Sequence, residues 1–387
     1  MSTATLFIWI SFLIVISPIF SHITRLPIVV VEILLGTVVA WFGFLDGSHE
    51  IFQNLAKIGF FYLMFLAGLE IDLKRFISKK ESLLKNAIIY FISLYGLSFA
   101  LYLLFDLNPV FIIAIPIVSL GMIMALINEH GKDFKWLEIV LIVGVLGEII
   151  SIAAIVIYES YAHYAISFAF FKHIFIFFVV LFLIYYSFKL FNLLFWWFPE
   201  LKKLIMPEND SKDQSVRVSI ALFIILVTIM NILHIDMVLG AFFAGIYIAN
   251  FFDHKKDLPH TLHKVGFGFL VPIFFIYVGT TLDLSLIFSS EVISNALLIL
   301  VAMVLVRVVS SYLAYSSHLN VTETFLLALG DSMPLTFLIA IATISYEAKL
   351  ITQNEYLSFI VAGMLSGIII MSVLKLLISI IYKTKVK

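Results

Sequence analysis

The sequence predicts an all-α membrane protein of about thirteen transmembrane helices, some of them related by an internal repeat. Of its 387 residues, 63% are hydrophobic and only 13% are charged, and the mean hydropathy is +1.13. A soluble domain of this length needs far more charged surface. The apolar runs are close to the roughly 20 residues that a helix needs to cross a bilayer. They also lack the alternating pattern of β-barrel strands.

Clusters of turn and charged residues separate the apolar runs and define the spans. The predicted spans are 4–21, 27–45, 52–71, 84–105, 109–128, 136–159, 168–196, 216–233, 236–252, 264–282, 290–314, 321–345 and 355–382. The first run has no positive residue before it and no small-residue cleavage pattern after it, so we interpret it as a span rather than a signal peptide. No loop is long enough to fold alone, and the sequence predicts a single transmembrane domain, 1–387, with no soluble regulatory domain.

Basic residues in the loops lie almost entirely on one side of the predicted membrane. That side holds Arg25, Lys74, Arg75, Lys79, Lys80, Lys85, Lys132, Lys135, Lys202, Lys203, Lys212, Arg217, Lys255, Lys256, Lys264, Lys383, Lys385 and Lys387. The loops of the opposite side have only Lys349, with Lys57 and Lys172 just inside span ends. Because cytoplasmic loops are enriched in Lys and Arg, the side that holds most of the basic residues is predicted to be cytoplasmic. In the cell (inner) membrane the N-terminus would then lie outside and the C-terminus inside, which requires an odd number of spans.

Two segments of the chain resemble each other at an offset of about 211 residues. They are Phe61–Leu73 in the third span and Pro272–Leu284 in the tenth. The matched pairs include Gly68 with Gly279 and Asp72 with Asp283. The predicted topology runs these two spans in opposite directions, and inverted repeats of this kind build many secondary transporters, with sites near the midplane. A chance match of two helix ends is the alternative.

The fifth and twelfth spans, which the same offset relates, both carry helix breakers at mid-depth. The positions are Pro116, Ser119 and Gly121 in the fifth span and Gly330, Ser332 and Pro334 in the twelfth. Proline and glycine weaken the intrahelical hydrogen bonds, and the freed carbonyls must be met by protein, water or an ion. A lone proline is usually a kink. Two breaks in repeat-related spans instead indicate a binding site, to which Ser119 would contribute its hydroxyl.

Three ionisable residues lie far from any loop: Glu148 in the sixth span, Arg307 in the eleventh and Asp331 at the break of the twelfth. Each costs about 2.5–3.5 kcal/mol to insert, so each should face a partner or a polar cavity. Glu148 is interpreted either as a carboxylate that binds a cation or a proton, or as a residue that forms a structural hydrogen bond between helices. Arg307 is interpreted either as a counter-charge that holds the carboxylate by two hydrogen bonds when no cation is bound, or as one partner of a structural ion pair. Asp331 is either a second cation ligand or the N-cap of a half-helix that begins near Ser332.

Other polar groups carry weaker indications. Glu70 and Asp72 lie with Lys74 and Arg75 at the cytoplasmic end of the third span, as a solvated helix end or as the charged lip of a cytoplasmic funnel. The chain has no cysteine, which excludes thiolate metal sites, and its histidines lie near span ends. The sequence therefore predicts no metal centre, no cofactor, no nucleic-acid partner and no enzymatic activity.

Three segments resemble one family in the expected order: Leu63–Leu73, Leu239–Gly245 and Pro272–Gly279, followed by Leu282–Leu284. They are similar to the Kef-type cation:proton antiporters of the second monovalent cation:proton antiporter family, which also contains NapA-type exchangers. The resemblance implies the sodium/proton antiporter fold: thirteen helices, a mobile core bundle, a dimerisation bundle that makes a homodimer, and two crossed discontinuous helices, here the fifth and twelfth spans. It places the family's carboxylate at Glu148 and its basic residue at Arg307.

The chain departs from the family pattern in two respects. The family usually has Asp preceded by Asp, Asn or Gln, whereas this chain has Gly147 before Glu148, which leaves ion coordination and stoichiometry open. Kef-type transporters also commonly carry a C-terminal nucleotide-binding regulatory domain, which the sequence is not expected to contain.

The sequence thus leads to the hypothesis of an elevator-like antiporter that exchanges Na⁺ or K⁺ for protons. Glu148 would bind either the cation or a proton, and that competition would couple the two fluxes. A single titrating carboxylate beside a permanently charged arginine predicts electroneutral one-for-one exchange. The alternatives are a proton- or sodium-coupled symporter of an organic anion and an inactive structural member of the family.

Overall fold

The computed structural model describes residues 2–70, 81–119, 123, 134–164, 166–198, 200–201, 205, 207, 213–233, 237–252, 255 and 257–383. Every regular element in this part of the chain is helical. The helices are α1 (Thr3–Thr24), α2 (Ile28–Trp41), α3 (Glu50–Leu69), α4 (Glu81–Phe105), α5 (Phe111–Ala114), α6 (Lys135–Tyr164), α7 (Phe168–Trp197), α8 (Gln214–Ile232), α9 (Met237–Phe251), α10 (Leu258–Val265), α11 (Val271–Thr280), α12 (Leu284–Ile287), α13 (Ser290–Tyr315), α14 (Val321–Asp331), α15 (Leu335–Glu347), α16 (Gln353–Leu365) and α17 (Met371–Lys383).

Among the described residues, eight helices are long and apolar enough to cross a membrane, or nine if the bent pair α14–α15 counts as one span. Each predicted span except the fifth overlaps a helix, or a pair of joined helices, over most of its length, and the predicted fold class is confirmed. Beyond α5, the fifth span is described only through 119 and at 123. The tenth span begins at Leu258, earlier than the predicted 264. The proline after Leu258 suits the first helical turn, but the polar residues of α10 hide it from a hydropathy pattern.

Local sequence signals set several helix ends. Asn320 and Glu323 form a reciprocal capping box at the start of α14, and Thr352 and Glu355 form another at the start of α16. Each box satisfies backbone N–H groups that have no partner inside the helix. Two spans continue through a π-helical turn, from α10 into α11 and from α16 into α17. Such turns leave a local irregularity inside an otherwise continuous helix.

The helices form two compact units. The first unit comprises Met1–Ile77 and Tyr164–Thr281, and the second comprises Ser78–His163 and Leu282–Lys387. The first therefore contains α1–α3 and α7–α11. The second contains α4–α6 and α12–α17, and with them both of the spans in which the sequence predicts breaks.

Glycines allow two very close helix crossings in the first unit. Where α3 crosses α9, a Cβ on Gly68 would collide with the carbonyl oxygen of Phe242, and a Cβ on Gly245 would collide with that of Phe65. Small residues permit this backbone approach, which strengthens van der Waals packing in a bilayer where no hydrophobic force drives helices together.

The crossing of α2 with α11 repeats this pattern. A Cβ on Gly279 would collide with the carbonyl oxygen of Ile33, and a Cβ on Gly36 would collide with that of Ile276. In both crossings each glycine meets the carbonyl three residues before the partner glycine. The offset of about 211 that relates Gly68 to Gly279 in the sequence therefore also relates their packing.

In the second unit, α13 occupies a central position. It packs against α4, α14 and α16. Its inward face buries small and polar side chains as well as apolar ones, among them Arg307, Ser310 and Ser311. A charged residue with 0% exposure in a membrane helix requires polar partners, and these come from the two broken spans.

Candidate functional site

Both predicted breaks interrupt their helices. In the fifth span, α5 ends at Ala114, and Pro116 lies in the turn that precedes the non-helical residues 117–119. In the twelfth, α14 ends at Asp331 and α15 begins at Leu335, with a bend of 42° between them. Pro334 immediately precedes α15 and has no N–H to continue the helical ladder. Gly121 lies outside the described residues.

The two breaks meet. The hydroxyl oxygens of Ser119 and Thr336 are 2.7 Å apart and hydrogen-bonded, which joins the end of the fifth-span break to the first turn of α15. Ser332 is fully buried in the twelfth-span break and donates its hydroxyl to the carbonyl of Ala328, 2.6 Å away. The predicted pairing of the discontinuous fifth and twelfth spans is therefore confirmed in the second unit. Thr336 was not among the residues singled out from the sequence.

Arg307 holds the carbonyls that the breaks set free. Its Nε donates to the carbonyl of Asp331 at 2.9 Å, and one Nη donates to the carbonyl of Ile115 at 2.8 Å. The other Nη donates to the carbonyl of Ile117, and a fourth hydrogen bond goes to Met303 on its own helix. The guanidinium thus lies where the C-terminal ends of α5 and α14 converge, and its charge offsets the negative ends of both helix dipoles.

This geometry corrects one expectation. The sequence predicted that Arg307 holds a carboxylate by two hydrogen bonds, but the four described bonds of its guanidinium all go to backbone carbonyls. The physical reason is that buried carbonyls without intrahelical partners cost free energy, so the fork of N–H groups is used to satisfy them. Electrostatically the guanidinium remains a buried positive charge within the unit that contains Glu148 and Asp331.

Asp331 is 1% exposed and accepts a hydrogen bond from the Tyr90 hydroxyl, 2.6 Å from its Oδ2. Its Oδ1 has no hydrogen-bond partner among the described residues. The N-cap interpretation of Asp331 is wrong, because it is the last residue of α14 and the position before α15 is Pro334, which makes no side-chain cap. The proline ring occupies the place where a capping side chain would act. The interpretation of Asp331 as a cation ligand stays a prediction.

Glu148 is 1% exposed on α6, and the residues around it contact the fifth-span break. The Ser151 hydroxyl accepts a hydrogen bond from the backbone N–H of Val118 at 3.0 Å. One turn earlier on the same face of α6, a Cβ on Gly147 would lie only 2.6 Å from the Cβ of Val118. The turn of α6 that carries Glu148 therefore packs against the break through two contacts with Val118. A side chain at position 147 would therefore require Val118 to move.

Gly147→Ala should impair exchange, because the added methyl must displace Val118 and with it the break. Overpacking of this kind typically costs about 1–3 kcal/mol. Thermal unfolding and transport of the purified variant would measure both effects. Gly96→Ala is the matched control, since Gly96 lies on α4 of the same unit and has nothing within 4 Å of an added Cβ. Equal behaviour of the two variants would contradict the packing argument.

Tyr90→Phe should lower the free energy of unfolding by about 1–3 kcal/mol, because it leaves the buried Asp331 carboxylate without its described donor. Tyr315→Phe is the control, since the buried Tyr315 hydroxyl has no hydrogen-bond partner in the described chain. Thermal unfolding in detergent compares the two. A loss in Tyr315→Phe as large as that in Tyr90→Phe would contradict the assignment.

Of the two predicted funnel residues, Glu70 is described and belongs to the first unit. The Glu70 carboxylate lies at the C-terminal end of α3 with its side chain 11% exposed, and its Oε1 is 4.0 Å from Nε2 of His263. Glu70 is thus more buried than a solvated helix end, and it forms an ion pair when His263 is protonated. Asp72 lies outside the described residues.

Sequence reasoning missed Tyr90, Ser151 and Thr336. All three are uncharged hydroxyl residues, which are common in membrane helices and give no strong signal alone. Ser151 could have been found from its position one helical turn after Glu148. Tyr90 and Thr336 are separated from their partners by 241 and 217 residues, so only the fold identifies them.

Comparison with known proteins gives consistent results. Residues 10–379 match the family described as "Sodium/hydrogen exchanger, transmembrane". YjbQ of Bacillus subtilis, named as a candidate Na⁺/H⁺ antiporter, is 27% identical over 381 residues, which cover 91% of this chain. The Na⁺/H⁺ antiporter of Enterococcus hirae is 25% identical over 372 residues, which cover 92% of this chain and 93% of its own. The chain spans 59% of the length of the B. subtilis relative.

The solved structure of the sodium proton antiporter MjNhaP1 from Methanocaldococcus jannaschii has the same fold. The two structures superpose with a TM-score of 0.67 at 15% identity, over 96% of this chain and 100% of the other. At this identity the likeness establishes the helical architecture and nothing about the transported ion.

Proposed function

Since the match extends from residue 10 to residue 379, this chain belongs to the sodium/hydrogen exchanger family, and we propose that it exchanges a monovalent cation, Na⁺ or K⁺, for protons by alternating access. The observation that carries this proposal is the meeting of two broken helices against the turn of α6 that holds the buried Glu148. Broken helices at membrane depth are tolerated where they line a site.

The second unit offers the ligand types that Na⁺ and K⁺ require. A hard cation takes oxygen ligands, and anionic and neutral oxygens lie in this unit. We assign Glu148 as the principal carboxylate and Asp331 as the second, with the hydroxyls of Ser119 and Thr336 as neutral oxygens. The Oδ1 of Asp331, which has no hydrogen-bond partner in the described part of the chain, supports its inclusion.

Competition at Glu148 supplies the coupling in this proposal. An uncompensated carboxylate in a low-dielectric site is costly, whereas a bound cation or a bound proton neutralises it. Only a neutralised site can change its access from one side of the membrane to the other at low cost. The cation and the proton therefore take turns on one group, and neither crosses in the same step as the other.

Arg307 has two roles in this scheme. It holds the four carbonyls described above, so the break geometry persists when the cation leaves. Its permanent positive charge lowers the free-energy cost of the carboxylates when no cation or proton is bound. Because the guanidinium does not lose its proton at physiological pH, it adds no proton-binding site. One titrating carboxylate beside this fixed charge leads to electroneutral one-for-one exchange.

A proteoliposome assay tests the function. Vesicles with an acid interior and an internal pH indicator are diluted into Na⁺, K⁺, Li⁺ or choline. We expect at least one alkali cation, but not choline, to collapse the pH gradient, at a rate unchanged when the membrane potential is clamped. No collapse with any alkali cation would contradict the proposal and favour an inactive member. Collapse that depends on the potential would keep exchange, overturn the electroneutral stoichiometry and point to titration of Asp331 as well.

We also propose the homodimer that the resemblance implies, in the cell (inner) membrane, with the N-terminus outside and the C-terminus in the cytoplasm. The loop asymmetry of Lys and Arg supports the orientation. Neither the family match nor the fold distinguishes the Kef-type and NapA-type branch from other branches, so that narrower resemblance stays a prediction. Cross-linking in native membranes and protease access at the two termini would check these assignments.

A further inference from the structure

An apolar groove lies on the second unit between α4 and α13. Its volume is about 660 Å³, within the range of about 300–1,000 Å³ that is usual for ligand pockets. Leucine and valine side chains from both helices line its length: Leu97, Leu101, Leu104, Leu298, Leu305 and Val309. Several of them are largely exposed in the protein alone, such as Leu104 at 76% and Leu298 at 66%. The groove therefore presents a surface suited to a hydrocarbon chain.

One end of the groove is polar and acidic. Asp106, Asn108, Asn295 and Glu355 all line it. The predicted topology puts the loops next to these residues on the same, non-cytoplasmic side of the membrane. Among the described residues, none of those that line the groove is Lys, Arg or His. The groove thus combines an apolar trough with a carboxylate-bearing rim at one membrane surface.

Two of the rim groups have hydrogen-bonding capacity to spare. Two other rim groups already have protein partners. The Asn108 amide donates to the carbonyl of Leu350, and the Glu355 carboxylate accepts from the backbone N–H of Thr352 in the capping box of α16. In the part of the chain that the structure describes, the Asp106 carboxylate and the Asn295 amide have no hydrogen bond. A carboxylate accepts from an ammonium group, and an amide N–H donates to a phosphate oxygen.

These features select one occupant. We propose that the groove binds an ethanolamine phospholipid, with an acyl chain along α4 and α13, its ammonium at Asp106 and its phosphate at Asn295. A lipid with net negative charge is disfavoured by the two carboxylates among the described lining residues. A choline lipid has no N–H to donate to Asp106, so it forfeits the charge-assisted hydrogen bond.

The occupant would also contact the fifth-span break. Ile115 lines the groove, and its carbonyl is one of those held by Arg307, 2.8 Å from the guanidinium. Val306, the neighbour of Arg307 on α13, lines the groove as well. An acyl chain in the groove therefore packs against the backbone whose geometry Arg307 fixes, and it should stabilise the second unit.

Lipid-dependent thermal stabilisation tests this binding site without any transport measurement. The purified protein in detergent is titrated with ethanolamine, choline or glycerol phospholipids of identical acyl chains. We expect the ethanolamine lipid to raise the melting temperature with an apparent Kd about fivefold lower than that of the choline lipid, as an ion pair near a surface allows. Native mass spectrometry should show the same order of lipid retention.

Asp106→Asn should remove this preference, whereas Asn295→Leu should weaken the binding of all three lipids alike, because each of them carries the phosphate. The lipid-free melting temperature of both variants should stay within a few degrees of the parent, since neither group has a described partner. Glu347→Gln, an exposed acidic residue of the same unit, is the matched control and should keep the preference. Equal stabilisation by all three lipids, a preference that survives Asp106→Asn, or unchanged binding of every lipid in Asn295→Leu would overturn the proposal in favour of general annular lipid. Strongest stabilisation by the glycerol lipid would overturn the ammonium assignment. Each result is independent of whether the protein exchanges ions, so the proposed function stands or fails separately.

Discussion

Glu148→Gln should reduce cation-dependent proton exchange to the rate of protein-free vesicles. Glutamine has nearly the same size and can keep a hydrogen bond, but it carries no negative charge and takes up no proton in the working range. The glutamine side chain therefore cannot bind a cation and a proton in turn. We expect the cation flux and the proton flux to stop together, rather than one of them to continue without the other. The pH-gradient assay in proteoliposomes measures this loss directly.

Two companion variants separate the role of the carboxylate from that of its burial. Glu148→Asp keeps the charge with one methylene fewer, so we expect reduced but measurable exchange. Glu32→Gln is the matched control, because Glu32 is a second buried glutamate, 2% exposed on α2 of the first unit. It should retain exchange. Brisk transport by Glu148→Gln would contradict the mechanism.

Arg307→Ala should have the second-largest effect, because it abolishes exchange and also destabilises the protein. The substitution leaves the carbonyls of Asp331, Ile115 and Ile117 without their described donor in a buried site. Each unsatisfied buried carbonyl costs about 1–3 kcal/mol, so we expect a loss of at least about 3 kcal/mol. Thermal unfolding in detergent and transport in vesicles measure the two consequences.

Arg307→Lys distinguishes charge from geometry. Lysine keeps the positive charge, but its single ammonium cannot span the carbonyls of both breaks as the planar guanidinium does. We therefore expect stability and exchange between those of Arg307→Ala and the parent. Arg217→Ala, an exposed arginine at the start of α8, serves as the matched control and should change neither. If Arg307→Lys behaved like the parent, charge alone would suffice and the assignment of the guanidinium to the carbonyls would be wrong.

Much of the fold follows from the sequence because bilayer thickness fixes the length of apolar runs. The breaks at Pro116 and Pro334 could be predicted for a similar reason, since proline removes a donor wherever it occurs. The internal repeat was visible in Gly68 and Gly279 because a close helix crossing tolerates little else at these positions. These features depend on local chemistry that a sequence displays.

The site was less predictable because its contacts join distant parts of the chain. The sequence places a positive charge at Arg307, but it does not show that the free carbonyls of two half-helices converge on that charge. The choice between cap and ligand at Asp331 depended on the register of the break, which ends α14 at that residue. The sequence shows Gly147 before Glu148, but it does not show that Val118 lies where a side chain at this position would extend.

The most direct test of the central claim is the pH dependence of the cation concentration that gives half-maximal exchange. If one carboxylate, Glu148, binds either the cation or a proton, acidification below its titration range should raise that concentration by about tenfold per pH unit, because one proton competes for each cation. The maximal rate at saturating cation should stay nearly constant. A half-saturating concentration that does not change with pH, while the maximal rate falls, would show that the proton and the cation bind at separate groups and would contradict the account.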